Sequence, residues 1–251
     1  MTPAAKSAFS QRETKVNDGS EDHTAEQNAR KDSLFLRLVS RDLGEPFAEF
    51  RIRFQDLTNE TNLFVLRESL AELSEPVYRL DRLIRDLVDT AAIESGELID
   101  KEETVDLAAL LSEQISKRLR RLHGYRLQPE IPSSALHVTG DKARLATLIN
   151  DLLDAVILFS PEGGTILARL SRDEDNICIS TENRAAHSPP AGTGTILEWL
   201  DACLQEAKGF EGVGIGLYRS YLTARFWGGE LNVVTPPGGG VSFTLCIPYK
   251  K

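Results

Sequence analysis

The chain has 251 residues, of which 41% are apolar and 27% are charged, a composition typical of a soluble globular protein of one or two domains. Acidic residues outnumber basic ones by 38 to 29, and the net charge is −9. This balance argues against binding to nucleic acid or to an anionic membrane, because phosphate surfaces are bound by clustered Lys and Arg.

The location of the protein is predicted from what its sequence lacks. No stretch has the ~18–20 consecutive apolar residues of a membrane span, and the N-terminus has no secretory signal. The three cysteines, Cys178, Cys203 and Cys246, are widely separated and predict neither a disulfide framework nor a zinc site. We therefore expect a cytoplasmic protein.

The first hundred residues predict a polar tail followed by a helical hairpin. Residues 1–31 hold only three large apolar residues, so we expect them to be disordered. Over residues 32–100, two apolar stripes with spacings of three and four predict two long antiparallel helices, the second kinked at Pro76. A pair of helices leaves such a wide stripe uncovered, which favours a dimeric four-helix bundle, with a monomeric hairpin packed on the next domain as the alternative. Eight Arg and fifteen acidic residues give this hairpin a net charge of −7.

Residues 101–251 alternate between helical and strand patterns and predict a second domain. Their mixed order, with paired strands late in the chain, predicts an α+β sandwich of helices on one sheet. Helices are predicted at residues 107–122, 143–159, 195–207 and 217–226, and strands at 166–170, 177–180, 230–234 and 241–247.

A glycine cluster precedes the last of these helices. Gly212, Gly214 and Gly216 would allow backbone N–H groups to approach phosphate oxygens at a helix N-terminus. Taken alone, the cluster fits a flexible hinge as well as a nucleotide-binding loop.

Five distant parts of the chain carry one resemblance when they are read in order: residues 35–47, 79–96, 144–164, 212–217, and 228–229 with 238–243. Together they resemble the phosphoacceptor box, the second dimerisation helix, the first nucleotide box, the glycine-rich lid box and the domain end of the sensor histidine kinases. The resemblance implies a dimeric helical hairpin followed by an ATP-binding α/β sandwich, in which a hairpin histidine takes the γ-phosphate of ATP and passes it to a response regulator.

The phosphoacceptor position is changed in this chain. In the register of the resemblance, the family's histidine falls on Arg41, whose guanidinium has no free lone pair for phosphoryl transfer. The neighbouring acid is kept as Asp42, the position used for phosphatase activity is Glu45, and Gly44 replaces the arginine usual between them. The catalytic residues implied by the family are therefore not intact.

The implied metal site is changed as well. The family's two asparagines fall on Asp151 and on Ala155, and the methyl group of Ala155 cannot ligate Mg²⁺. A shift of one residue would place Asn150 and Asp154 there, but the segments on both sides contradict it. We expect no metal ligand at this position.

The position that binds adenine in the family is altered too. Strand parity, with Ile177, Ile179 and Thr181 pointing inward, places the family's aspartate on Asn183, with Glu182 as the alternative if the strand carries a bulge. The following helical segment, 195–207, lacks the family's phenylalanine box and is expected to face the core.

The sequence therefore favours a pseudokinase, a scaffold or regulator in two-component signalling. It would bind ATP or ADP weakly and without Mg²⁺, or bind no nucleotide, with Asp151, Asn183, Gly212, Gly214 and Gly216 as the candidate nucleotide contacts. The expected partners are a second copy, a response regulator or another histidine kinase. Two alternatives remain open, an active kinase with a divergent site and a phosphotransfer intermediate, although the latter needs a hairpin histidine.

Overall fold

The computed structural model describes residues 3–59, 61–120, 124–160, 164–183, 195–206, 213–235 and 239–249, without the side chains of residues 3–27, 59 and 206. The chain divides into two units, residues 1–37 and residues 38–251, and the first is the beginning of a long helix. In the described part of the chain, no helix combines the length and the apolar character that a membrane span requires.

The described elements form helices followed by a mixed domain, as the α+β prediction has it. The helices are α1 Pro3–Asn59, α2 Leu63–Glu72, α3 Ser74–Glu94, α4 Leu107–Leu119, α5 Lys142–Leu158, α6 Ile196–Glu206 and α7 Gly214–Phe226. The strands are β1 Glu103–Asp106, β2 Arg126–Glu130, β3 His137–Gly140, β4 Thr165–Arg172, β5 Asn176–Asn183, β6 Glu230–Val234 and β7 Ser242–Pro248.

Helices cover one face of a five-stranded sheet of order β2-β4-β5-β7-β6. Only the β2–β4 pair of this sheet is parallel, and β1 pairs with β3 in a separate antiparallel ribbon. Along β5 every second residue is buried, which confirms the inward parity predicted for this strand. Helix α5 begins at Asp141, whose carboxylate accepts hydrogen bonds from the backbone of Ala143 and Arg144, and its apolar face packs on the sheet.

The hairpin is antiparallel, as predicted, but its second helix is interrupted. Glu49 pairs with Arg79, and Arg53 pairs with Glu72, 2.6 Å away, so the partners run in opposite directions along the two arms. The predicted kink at Pro76 is instead a break at Leu73, because Pro76 lies in the first turn of α3, where no backbone N–H is needed.

Helix α1 begins within the segment that the sequence predicts to be disordered. It starts at Pro3, so the backbone of this segment differs from the expectation. Helical hydrogen bonds are made within the segment itself, and residues 4–31 are rich in good helix formers, so few apolar side chains do not preclude a helix. The domain boundary at residue 32 stays a prediction.

Two of the cysteines form a disulfide, and the prediction of none is wrong. Antiparallel pairing of β5 with β7 places Cys178 opposite Cys246, with their Cα atoms 4.1 Å apart, and the two sulfurs are bonded. The residues are 68 positions apart in sequence. Strand register brings them together, and spacing along the chain carries no information about that register. Cys203, on α6, is buried and takes no part in a disulfide.

Candidate functional site

Helix α5 carries the positions that the sequence assigns to metal and nucleotide. Asp151 and Ala155, one turn apart, are both buried. Asn150 turns toward α4, where its amide donates to Gln114, 3.1 Å away. Asp154 lies next to two guanidinium groups, with Arg118 Nη1 at 2.5 Å and Arg82 Nη2 at 3.2 Å. The alternative register therefore offers no free pair of ligands.

Asp151 is held by α7. Its Oδ2 accepts hydrogen bonds from Arg219 Nη2 at 2.7 Å and from Ser220 Oγ at 2.8 Å. The other end of the same guanidinium, Nη1, bonds to Asp86 of the hairpin helix α3. Arg82 Nη2 lies 3.5 Å from Asp151 Oδ1. Asp86, Asp151 and Arg219 are each no more than 5% exposed, so the cluster is shielded from solvent.

The pKa values in this cluster are shifted because two buried carboxylates, Asp86 and Asp151, share the guanidinium of Arg219. Burial raises the pKa of Asp86 above its ordinary value, and Asp151 adds to the rise, while Arg219 and Arg82 oppose it. Burial by itself lowers the pKa of Arg219, but the charges of Asp151 and Asp86 outweigh it, and the net shift is upward. Arg219 is therefore a permanent cation at the position where the family's nucleotide chemistry is expected.

Two glycines of the predicted loop lie inside α7. Gly214 and Gly216 belong to its first turn, and Gly212 lies outside the described residues. A Cβ atom on Gly216 would lie 3.1 Å from Asp151 Oδ1, so glycine allows α7 to pack this closely on α5. The start of α7 has no cap from its own side chains, and Asp42 Oδ2 instead accepts a hydrogen bond from the backbone N–H of Ile215, 3.0 Å away.

The phosphoacceptor segment faces the same region. Arg41 Nη1 donates to the backbone oxygen of Cys203 on α6 at 3.2 Å, and Asp42 is fully buried. Glu45 is exposed and lines a cleft of about 290 Å³ between α1, α3 and α5. The other charged residues that line this cleft are Asp42, Arg79, Arg82 and Asp154.

Asn183 makes its hydrogen bonds within the domain. Its amide nitrogen donates to Ser160 Oγ at 2.9 Å and to the backbone of Val156 at 3.3 Å. Its Oδ1 accepts from the backbone N–H of Val241 at 2.8 Å. Glu182, the alternative, points to the other face of β5 and is half-buried. The side chain expected to bind adenine thus joins the end of α5 to the start of β7.

Helix α6 is anchored in the core by an aromatic cluster. Trp199 is buried and lies edge-on to Phe159 and to Phe243, with ring centroids 5.4 and 5.2 Å apart. Leu200 and Cys203 are buried beside it, which confirms the prediction of a core-facing helix. Phe159 directly precedes Ser160, so this cluster adjoins the bonds of Asn183.

Roles for Arg219 and Asp86 were not predicted from the sequence. One signal was present in the sequence, because Arg219 directly follows a run of glycine and large apolar residues, and the structure buries the first seven residues of α7. A buried arginine requires an anionic partner, but the sequence does not indicate which one. Asp86 gives no such signal, since it lies among many charged residues of the hairpin.

The residues at this site do not fit a bound Mg²⁺. Ala155 offers a methyl group, and the Asp151 carboxylate is already bonded to Arg219 and Ser220. Within the described ranges, no group of three His, Cys, Asp or Glu side chains is arranged to hold a metal ion.

Comparisons with known proteins match this architecture. Residues 140–251 match the family described as histidine kinase-, DNA gyrase B-, and HSP90-like ATPase. The signal transduction histidine-protein kinase BaeS of Escherichia coli K12 is 25% identical over 237 residues, 91% of this chain and 49% of BaeS. The sensor-like histidine kinase SenX3 of Mycobacterium tuberculosis H37Rv is 25% identical over 90% of this chain and 56% of SenX3. The chain thus spans about half the length of the curated relatives it matches.

Solved structures share the fold. The Acinetobacter baumannii histidine kinase AdeS superposes with a TM-score of 0.64 at 18% identity, over 84% of this chain and 98% of AdeS. Full-length ShkA in complex with AMPPNP gives 0.60 at 18% identity, over 92% of this chain and 46% of ShkA. The histidine kinase ThkA in complex with the response regulator TrrA gives 0.59 at 15% identity, over 96% of this chain and 66% of that one. The chain is therefore histidine-kinase-like in fold and sequence, and its residues 140–251 match the histidine kinase-, DNA gyrase B-, and HSP90-like ATPase family.

Proposed function

We propose that this protein is a regulator of two-component signalling that acts by binding and does not transfer phosphate. The observation that carries the proposal is the bond between Arg219 and Asp151. It places a permanent cation of the protein on the first of the two positions where the family presents asparagine, and Ala155 occupies the second.

Phosphoryl transfer depends on positioning and on neutralisation of the phosphate charge. The guanidinium of Arg41 cannot act as an acceptor, and its Nη1 is bonded to the backbone of α6. Asp42, beside it, is bonded to the start of α7. These contacts support a role in holding the hairpin to the ATPase domain in place of a role in catalysis.

Nucleotide binding by this chain is proposed to be weak and independent of Mg²⁺. The solved relative ShkA was crystallised with AMPPNP. In this chain, Asn183 Oδ1 already accepts a backbone hydrogen bond, and an uncharged amide lacks the charge assistance of an aspartate. We therefore expect Asn183 to add little to the affinity for ATP or ADP.

The hairpin is proposed to form a homodimer. Large apolar side chains at helical spacings of four and seven remain exposed on its two arms, which favours burial against a second copy. They are Phe47 and Phe54 on α1 and Val77, Ile84 and Val88 on α3.

A response regulator or another histidine kinase is the proposed signalling partner. ThkA, whose fold superposes on 96% of this chain, was solved in complex with the response regulator TrrA. For this chain, the partner would be bound without exchange of phosphate.

Calorimetric titration with AMPPNP, with and without Mg²⁺, tests the proposal together with an assay for incorporation of labelled γ-phosphate. We expect weak binding that does not depend on the metal, or none, and no labelled protein. Metal-dependent binding in the micromolar range, with a base-stable and acid-labile phosphoprotein, would establish an active kinase and overturn the proposal.

A further inference from the structure

Two carboxylates of the hairpin contact the first two turns of α7. Asp42, on α1, accepts the backbone N–H of Ile215 at 3.0 Å. Asp86, on α3, bonds to Nη1 of Arg219, one turn further along α7. Both carboxylates are buried, at 1% and 4% exposure, although the hairpin carries many exposed acids. Asp42 and Asp86 are therefore shielded from water where they contact α7.

The groups that they contact are those on this helix with the highest affinity for anions. The N-terminal N–H groups of a helix carry the positive end of its dipole, and Arg219 adds a full positive charge beside them. Ligand phosphate would be expected to bind such groups. Here, Asp42 and Asp86 fill that role from within the same chain.

Further contacts run along the same face and keep the hairpin and α7 together. Tyr218 Oη donates to Glu94 of α3 at 2.9 Å, and Trp227 at the end of α7 donates to Asp100. The hairpin acids therefore contact α7 near its start, in its middle and just beyond its end. Such a row of contacts defines one docked arrangement of the two parts.

We propose that Asp42 and Asp86 form an autoinhibitory latch, in which hairpin carboxylates occupy the anion-binding groups of α7 in place of nucleotide phosphates. Docking of the hairpin and binding of a phosphate-bearing ligand are then mutually exclusive at Ile215 and Arg219. A ligand that binds there releases the hairpin, and a partner that draws the hairpin away exposes the site. This inference concerns the nucleotide site of the proposed function, but it does not require that phosphate transfer be absent.

The test neutralises the latch and keeps the size of its side chains. The variant Asp42→Asn/Asp86→Asn keeps one acceptor oxygen in each side chain, replaces the other by an amide NH2 and removes two charges. Its matched control, Asp56→Asn/Asp81→Asn, removes two charges from the same helices at exposed positions. Amide hydrogen exchange of α3 and α7 reports on docking, and calorimetric titration with AMPPNP and with inorganic triphosphate, both without Mg²⁺, reports on the anion site.

We expect faster exchange in α3 and α7 of the latch variant, and binding of both probes tightened by roughly tenfold, a coupling of ordinary size between two sites. The control should match the wild type in both measurements. Unchanged exchange, or faster exchange with no gain in binding, would overturn the latch. If the double variant loses its far-UV circular dichroism, the single variant Asp42→Asn carries the same test.

The outcome is separate from that of the proposed function. A metal-dependent phosphoprotein formed by the wild type would refute the proposed function and leave the comparison between latch and control variants valid. Equal behaviour of those variants would refute the latch and leave the absence of phosphate transfer untouched.

Discussion

Arg219 Nη2 lies 2.7 Å from Asp151 Oδ2, and the same guanidinium reaches Asp86 of the hairpin. One cation thus joins the nucleotide-box helix α5 to α3 through α7. Buried ion pairs of this kind contribute little net stability when intact, but loss of one partner leaves an uncompensated charge in a medium that solvates it poorly. The ion pairs of Arg219 therefore favour the packing of α7 against both α5 and α3 over arrangements that separate these helices.

Removal of Arg219 is expected to be strongly destabilising. Arg219→Gln leaves the buried carboxylates of Asp86 and Asp151 with Arg82 as their remaining nearby counter-charge, 3.5 Å or more away. We expect a loss of about 3–5 kcal/mol in the free energy of unfolding, measured by urea denaturation. Arg225→Gln, on the exposed face of the same helix, is the matched control and should cost less than about 1 kcal/mol. Equal losses in the two variants would contradict the role given to the cluster.

Restoration of the acceptor alone should not restore chemistry. Arg41→His supplies an imidazole, but Ala155 still lacks a ligand atom and Asp151 is still bonded to Arg219. We expect no acid-labile phosphate from labelled ATP in this variant. The appearance of phosphohistidine in the single variant would show that our interpretation of the metal position is wrong.

The exposed apolar face of the hairpin predicts the oligomeric state. Ile84→Asp/Val88→Asp places two charges on that face of α3 and should convert a dimer to a monomer in sedimentation equilibrium. Val234→Asp, which changes an exposed valine on β6, is the control and should remain dimeric. A wild-type monomer at all concentrations would exclude the proposed homodimer.

The disulfide should be detectable and should contribute to stability. Peptide mapping without reductant should recover Cys178 linked to Cys246, while Cys203 resists alkylation in the folded protein. Closure of a loop of this length is worth about 4 kcal/mol in the chain-entropy model. Reductant should therefore lower the free energy of unfolding of the wild type and leave that of Cys178→Ser/Cys246→Ser unchanged. An equal effect of reductant on both proteins would show that the loss of stability does not come from this disulfide.

The cap of α5 predicts a dependence of stability on pH. Burial by itself raises the pKa of Asp141, but hydrogen bonds from the backbones of Arg144, Lys101 and Ala143 outweigh it, and the pKa lies below its ordinary value of 3.8. The stability that the charged form contributes is therefore full well above pH 3.8 and is lost as the pH falls through the folded pKa. Asp141→Asn keeps the cap without titrating, so its acid unfolding should lack this component. Identical acid titrations of the two proteins would contradict the prediction.

Much of the architecture follows from patterns that lie within single segments. Strand β6 is predicted at its observed bounds, and α4, α5 and α7 begin and end within a few residues of their predicted limits. The edge strand β2 was not predicted, since it is short and contains Pro129. The helices and strands that were predicted have apolar residues at regular spacings, because one face of each is buried, and this spacing can be read within a single segment.

The sequence by itself also determined which residues stand at the positions that the resemblance assigns to the phosphoacceptor and to the metal ligand. Once neighbouring residues fix the register, the identities of Arg41 and Ala155 are known whatever the fold does with them, and neither can accept phosphate or bind Mg²⁺. The family resemblance of residues 32–251 likewise rests on the order of short segments.

Only the tertiary structure decided what the remaining polar groups do. The contacts of Asp42 with Ile215, of Asp86 with Arg219 and of Cys178 with Cys246 join residues that are 173, 133 and 68 positions apart. No local pattern specifies such pairs, because each depends on which faces of two separate elements meet. Packing of the hairpin against α7 buries Asp42 and Asp86, and in a medium of low dielectric these two carboxylates interact more strongly with their partners than the exposed acids around them do.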